Sequence, residues 1–316
     1  MKKRQKNDCE ICHVPLTQKI KNDFVKNKSL YLLFLPVLLY YLIFQYGPMF
    51  GLTIAFKNYT PRRGFWGSDW VGLKHFYNFF TDYYFKRVLF NTIKISLTTL
   101  LFSFPMPIIL ALLLNDLKGN RFKKIVQTVT YMPHFISVVV ICGIIVQLTS
   151  STGAITQLLS VFGLPRTTLL NHSRYFVPIY VISGIWQTIG WNSIIYLSAL
   201  SAIDAQLYEA ARIDGAGKCR LLWNITLPGI VPTIVIMLIM QVGKMFNIGY
   251  EKIMLLYNPM TYDVADVIST YVYRKGLLEF NWSYSAAVGL FNSIVSFALV
   301  YFTNKFSKKL SGTSLW

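Results

Sequence analysis

The chain has 316 residues, of which 54% are hydrophobic, with a mean hydropathy of +0.44 and a formal net charge of +18. Soluble domains are about 45–50% apolar, so this composition excludes a water-soluble globule and points to an all-α, polytopic membrane protein. The excess of cations could suggest a nucleic-acid partner, yet they are spread along the flanks of apolar runs with no folded domain to organise them. They fit anchoring to anionic lipid, and no nucleic acid is expected.

A bilayer core about 30 Å thick needs roughly 20 apolar residues per spanning helix. Six runs qualify, near residues 30–50, 92–114, 125–148, 176–200, 228–250 and 283–303. Three segments follow: a tail over 1–28, a six-helix transmembrane domain over 29–306 and a second tail over 307–316. The first segment carries Lys2, Lys3, Arg4, Lys6, Lys19, Lys21, Lys26 and Lys28. That flank is longer than the charged region of a secretory signal, so the first run is expected to be a retained anchor. With six spans, the two tails and the 115–124 and 201–227 loops share one side and hold 18 Lys/Arg, against 11 on the other side. The positive-inside bias places both termini in the cytoplasm.

Four cysteines, Cys9, Cys12, Cys142 and Cys219, form no disulfide scaffold. Cys9-Glu10-Ile11-Cys12-His13 fits the pattern for covalent haem attachment, but attachment needs an exported segment and this one lies in the Lys-rich tail. Span one contains Pro36 and ends at Tyr46-Gly47-Pro48. The connection over 51–87 is rich in aromatics, including Trp66, Trp70, Tyr83 and Tyr84, which favour headgroup depth, and an interfacial helix is expected near Leu73–Phe80. Pro105, Pro107 and Pro133 interrupt spans two and three. Lys94, near the outer end of span two, is expected to snorkel.

Polar residues inside the spans carry more information, because each is costly in lipid and turns to a partner or a wet cavity. Gln187, Thr188, Trp191 and Asn192 form a stripe in span four, with Tyr196 one turn on; Gln241, Lys244 and Asn247 recur every three residues in span five. Asn292 and Ser296 pair in span six. Interhelical hydrogen bonding is the alternative to cavity lining for all three sets.

Between spans four and five the chain reads Glu209-Ala210-Ala211, three residues, Gly215, nine residues, Ile225, one residue, Leu227-Pro228. Asp204 can cap a short helix whose Leu207, Tyr208 and Ala211 share a face, and Gly215 and Gly217 can end it. Small Ala210 and Ala211 permit close seating in a groove of another protein, with Glu209, Arg212 and Asp214 at its rim. Ile225 and Leu227 anchor the return, and Pro228 suits an early helical position.

This spacing resembles the signature of membrane subunits of binding-protein-dependent ABC importers. Tyr46-Gly47-Pro48-Met49-Phe50-Gly51-Leu52, Ile54-Ala55-Phe56-Lys57, Asn91-Thr92, Tyr131-Met132-Pro133-His134-Phe135-Ile136-Ser137, Trp186 to Trp191 and Asp266-Val267-Ile268 look like the polysaccharide and oligosaccharide branch. The resemblance covers about residues 29–306. It implies the type I ABC importer permease fold, in which the 201–228 loop forms a coupling helix seated in a cytoplasmic ATPase. It also implies a bacterial plasma membrane and a complex with a second related permease, two copies of the ATPase and an extracellular solute-binding lipoprotein. This chain is expected to bind no cofactor, ATP and Mg belonging to the ATPase; Gly215-Ala216-Gly217-Lys218 lacks the upstream glycine and following hydroxyl of a P-loop.

In the maltose-type relative the sugar positions fall, by offset from the coupling loop, on Gln187, Thr188, Trp191, Lys244 and Asn247, with His134 a further contact. Lys244 and His134 replace amide or hydroxyl residues there, and Lys244 suggests a carboxylated sugar such as a uronic or sialic acid. The alternatives are a permease for a peptide-type or lipoprotein-linked cargo, an ion-coupled secondary transporter and a membrane glycosyl or phosphate transferase. An ion-coupled carrier predicts carboxylates within the spans, where none falls; a transferase predicts clustered loop carboxylates or a metal constellation, where only scattered acids occur.

Overall fold

The computed structural model describes residues 23–117 and 119–315, and the side chains of residues 310 and 311 are outside that description. Cys9, Cys12 and His13, with the rest of the N-terminal tail to residue 22, lie outside the described residues, as does Lys118. The chain divides between Thr53 and Ile54 into two units.

The described residues of the first unit centre on one long helix, α1 (Lys28–Tyr40), which continues through a π-helical turn at Tyr41–Tyr46 into Gly47–Met49. It carries Pro36 internally and buries none of its residues. An apolar surface on every side is that of a helix whose solvent is lipid or another subunit.

The second unit is a helical bundle; among its described residues no strand forms, apart from one isolated bridge between Lys57 and Trp70. In chain order its main helices are α2 (Lys74–Thr81), α3 (Phe85–Ser103), α4 (Pro105–Asp116), α5 (Asn120–Tyr131) and α6 (Val138–Leu148). These are followed by α7 (Ser173–Ser201), α8 (Ala205–Ile213), α9 (Leu227–Gly243), α10 (Tyr250–Leu256), α11 (Ile268–Tyr273) and α12 (Trp282–Ser311). The interfacial helix expected near Leu73–Phe80 is α2, which buries His75 and Phe79.

Length and apolarity alone qualify four helices for spanning, Lys28–Phe56, Phe85–Asp116, Lys218–Gly243 and Trp282–Lys309, or five if a bent pair is one span. The expected count of six is therefore not reproduced by that criterion. The remaining candidate, α7, has 29 residues but is diluted by its polar stripe. Span three, expected over 125–148, is the bent pair: Asn120–Phe135 and Val138–Leu148 meet at 100°. Pro133 removes a donor there, Ile136 is extended, and Ser137 restarts the helix by accepting the Val140 N–H at 3.4 Å.

The fifth span, expected over 228–250, ends early at Gly243. Three turns follow, closed by the N–H groups of Lys244, Met245 and Asn247. The carbonyls this frees are taken up by neighbours. The Ser96 hydroxyl of α3 donates to Met245 O, and Asn292 Nδ2 of α12 donates to Phe246 O at 3.2 Å and to Asn247 Oδ1 at 2.8 Å. Non-helical backbone at membrane depth persists only when partnered in this way.

Three connections meet at one end of the bundle. Ser173 Oγ donates to Asp263 Oδ1 at 2.7 Å, Asn258 Nδ2 to Leu170 O at 3.0 Å, and Tyr59 N to Ser283 Oγ at 2.8 Å. Two motifs far apart in sequence turn out to be bonded partners there. Asn91 Nδ2 donates to the carbonyls of Asp263 and Asp266, and Ile268 N donates to Thr92 Oγ1 at 3.0 Å. Asp266 is 1% exposed and takes Arg274 at 2.6 Å and Thr270 at 2.8 Å, with Arg87 at 3.9 Å. At the other end Lys218 pairs with Asp116 at 2.8 Å, joining the 201–227 and 115–124 loops. Both partners are largely exposed, so the pair contributes little.

The bent third span is held on α7 by a close approach. A Cβ at Gly190 would lie 2.2 Å from Thr130 O and 2.9 Å from Tyr131 Cδ1. The backbone carbonyl cannot rotate away as a flexible side chain could. Gly190→Ala is therefore expected to destabilise the purified protein by about 1–3 kcal/mol, the usual cost of overpacking. Thermal melts should show it, whereas Gly143→Ala, which meets nothing within 4 Å, should melt like the parent.

Candidate functional site

A cavity of about 380 Å³ lies between α3, α4, α7 and α9, with α10 reaching in. It is at the lower end of the roughly 300–1,000 Å³ typical of ligand sites. Its polar wall comes from four elements. α7 contributes Gln187, Thr188 and Asn192; the end of α9 contributes Gln241 and Lys244; α3 contributes Thr99 and Ser103; and α10 contributes Lys252. The hydroxyls of Thr99 and Ser103, one turn apart, have no protein partner. The apolar wall includes Tyr180, Val181, Met237 and Met240.

The site is basic. None of the ion pairs among the described residues involves Lys244 or Lys252, and no carboxylate lines the cavity. Lys252 Nζ donates to Tyr180 O at 3.2 Å and stands 5.0 Å from the centre of the Tyr180 ring.

Four of the seven substrate candidates named from sequence, Gln187, Thr188, Asn192 and Lys244, line this cavity. The other three lie elsewhere. His134 and Trp191 stack on each other, with centroids 4.6 Å apart and planes within 4°, and Phe135 meets the indole edge-on at 5.6 Å. One face of the indole is thus already covered by imidazole. Asn247 is engaged by Asn292. Lys252 was not among the sequence candidates, because it lies just beyond the expected fifth span; its only sequence signal is a lone cation ahead of Ile253-Met254-Leu255-Leu256.

The loop after α7 forms α8, and its local geometry explains its residues. Asp204 caps the helix by accepting the Gln206 N–H at 2.9 Å. At the other end Ala216 N donates to Ala211 O and Gly215 N to Arg212 O, a Schellman closure that Gly215 permits with φ +76°. Glu209, Ala210 and Asp214 are exposed, while Ala211 is half-buried. Ile213 is 87% exposed, a large apolar side chain on a surface with no covering in this chain. The return is fixed by Tyr208 OH against Thr226 Oγ1 at 3.1 Å and by Leu227 packing on Leu200 and Ile230; Ile225 is half-buried and Pro228 exposed. Among the described residues no group of three or more His, Cys, Asp or Glu is placed to hold a metal.

A bundle with a broken span at a polar cavity and a capped helix on one loop is the architecture of a transport subunit, and the comparisons agree. Residues 97–311 match the family described as binding-protein-dependent transport system inner membrane component, and the chain belongs to that family. It is a multi-pass membrane permease, not an enzyme. It is 44% identical over 293 residues to the polygalacturonan/rhamnogalacturonan transport system permease protein YteP of Bacillus subtilis (strain 168), covering 92% of this chain and 91% of that one. It is 43% identical to LplB of the same organism over 292 residues, covering 92% of each. A chain of the bacterial alginate ABC transporter, solved with an alginate pentasaccharide-bound periplasmic protein, superposes with a TM-score of 0.86 at 42% identity. That likeness covers 95% of this chain and 99% of the other.

The cavity walls are expected to be wet. In a variant freed of its native cysteines, Thr188→Cys should react with a charged, membrane-impermeant thiosulfonate reagent. Leu101→Cys, on an exposed apolar surface of α3, should remain unmodified in lipid. Equal inertness of both positions would mean that the cavity holds no water.

Proposed function

We propose that the chain is a permease subunit of an ATP-driven importer for an acidic oligosaccharide derived from a polysaccharide. The observation that carries the cargo class is the pair of lysines in a cavity without a carboxylate. An ammonium group at membrane depth costs roughly 2.5–3.5 kcal/mol, and an anionic ligand offsets that cost in a way a neutral sugar cannot. The relatives named above support a glycan: one is described as transporting polygalacturonan and rhamnogalacturonan, and a solved neighbour as importing the acidic polysaccharide alginate. Gln187, Thr188, Asn192, Gln241 and Lys244 hold the cargo. His134 and Trp191 act beside the cavity, and Asn247 acts through the break in α9.

In this reading α8 is the coupling helix. Glu209, Ala210, Ala211, Asp214 and Gly215 meet a groove on a separate ATPase, and Ile225, Leu227 and Pro228 transmit its movement to α9. Both termini and the α8 loop are cytoplasmic, in keeping with the distribution of Lys and Arg. An extracellular binding protein delivers the glycan, and a second permease completes the passage. ATP and Mg are bound by the ATPase. Nucleotide binding draws the two coupling helices together and turns the cavity outward; a differential affinity of a few kcal/mol between states suffices for such a switch.

In the reconstituted importer, Glu209→Ala and Gly215→Val are expected to lower glycan uptake at least tenfold while the permease remains folded in the membrane. Gly215→Val strains the left-handed turn that ends α8. Unchanged uptake in both variants would remove the coupling role.

A further inference from the structure

The importer reading uses Lys252 only as one charge of the basic cavity and gives it no part in holding the cargo. Lys252 sits on α10, outside the helices flanking the coupling loop, and crosses to α7 to reach the Tyr180 carbonyl. The ammonium carries three N–H donors, and that carbonyl accepts one. The Tyr180 ring lies beneath it. Gly184 lies next to the cation: a Cβ there would make ordinary van der Waals contact with Nζ, at 3.5 Å. Lys244, the other cation of the cavity, comes from a different element, the break after α9. The two charges are thus set independently in one basin, and the carboxylates that form ion pairs among the described residues lie outside it: Asp266 with Arg274, Asp116 with Lys218, Glu279 with Lys275 and Asp69 with Arg63.

Resting on the importer reading, we propose that Lys252 is a specificity-determining residue that works with Lys244 to read two carboxylates of one cargo chain. A chain of uronic acids carries a carboxylate on every ring, so cations on two elements can both be satisfied by one ligand. The orphan hydroxyls of Thr99 and Ser103 on the facing helix offer partners to the sugar hydroxyls. Two-point charge recognition favours an oligouronate over a neutral glycan and over a single uronate.

The test uses the complete importer, with its partner permease and ATPase, in lipid nanodiscs. Acylation of Lys244 by an amine-reactive reagent is followed by peptide mass spectrometry against trigalacturonate, monogalacturonate and the methyl ester of trigalacturonate. In the parent, trigalacturonate should protect Lys244 at lower concentration than either of the others. In Lys252→Gln, which keeps a donor for the Tyr180 carbonyl but loses the charge, the trigalacturonate concentration needed should rise tenfold or more. Protection by monogalacturonate should be nearly unchanged, and Lys252→Arg should restore much of the trigalacturonate preference.

The proposal is overturned if Lys252→Gln shifts the acid and its ester alike, shifts mono- and trigalacturonate alike, or shifts neither. Loss of the assembled complex in Lys252→Gln together with full function in Lys252→Met would also overturn it. Absence of protection by every probe, with ATPase activity still stimulated by a loaded binding protein, sinks the uronate reading and leaves the importer standing. Absence of stimulation as well removes the importer reading itself.

Discussion

A cation in a partly desolvated cavity is tolerated only where something compensates for it, and this cavity holds two with no acid in its lining. Lys244 and Lys252 share a cavity with amides and hydroxyls, and the ion pairs among the described residues all lie elsewhere. Had the lysines served packing, a carboxylate within reach would have been the inexpensive arrangement, and thirteen are present in the chain. The broken end of α9 follows from the same demand. A continuous helix would run Lys244 and Asn247 along one face, whereas the break turns Lys244 into the basin and gives Asn247 to Asn292. Ser96 and Asn292 accept the consequence by bonding the carbonyls that the break exposes.

The end of the bundle remote from α8 is built to stay closed on itself. Asn91 and Thr92 hold the backbone of the 263–268 segment, and Asp266 sits below it with two arginines and a threonine. Removing one partner of a buried pair of this kind typically costs 3–5 kcal/mol, far more than the exposed Lys218–Asp116 pair at the other end contributes. Stability is therefore unevenly distributed. The 263–268 segment is tied down by buried bonds, and the α8 loop is held mainly by its own caps and by the contact between Tyr208 and Thr226. A loop that must engage another protein benefits from that imbalance, because its orientation can follow the partner without unravelling the bundle.

Much of this was legible in the sequence, for physical reasons. The loop after span four could be read because its caps are local: Asp204 two residues before the N–H it accepts, Gly215 at the left-handed turn, Pro228 at a helix start. The polar stripe of α7 could be read because helical periodicity fixes which side chains share a face. What could not be read depended on contacts between distant segments. The break at Pro133 has a local signal, but its 100° angle is accompanied by a close approach of Thr130 to Gly190 of another span, and no periodicity encodes that angle. The stacking of His134 on Trp191 follows from the same approach, which places two expected sugar contacts against each other. Lys252 was invisible because a single lysine beyond an apolar run has the appearance of a membrane flank until α10 folds back across α7.

The position of α8 relative to the cavity gives the coupling proposed above a simple mechanical form. α7 leads directly into the loop, and α9 leads directly out of it after a π-helical turn at Leu222–Thr226. Asn192 is twelve residues before Asp204, which at 1.5 Å per residue is about 18 Å of nearly continuous helix. On the return side Met237, Met240 and Gln241 face the same cavity from α9. Both walls are thus extensions of the two helices that carry the loop, and Leu227, Ile230 and Leu200 lock those helices together at their base. In that proposal a force applied at α8 reaches the cavity through two helices that differ in how they end. α7 runs unbroken past its cavity residues, whereas α9 breaks at Lys244. Movement of the pair would therefore change the spacing of the α7 amides against Lys244, and in the proposed importer an anion held by that lysine would be released where α9 is already interrupted.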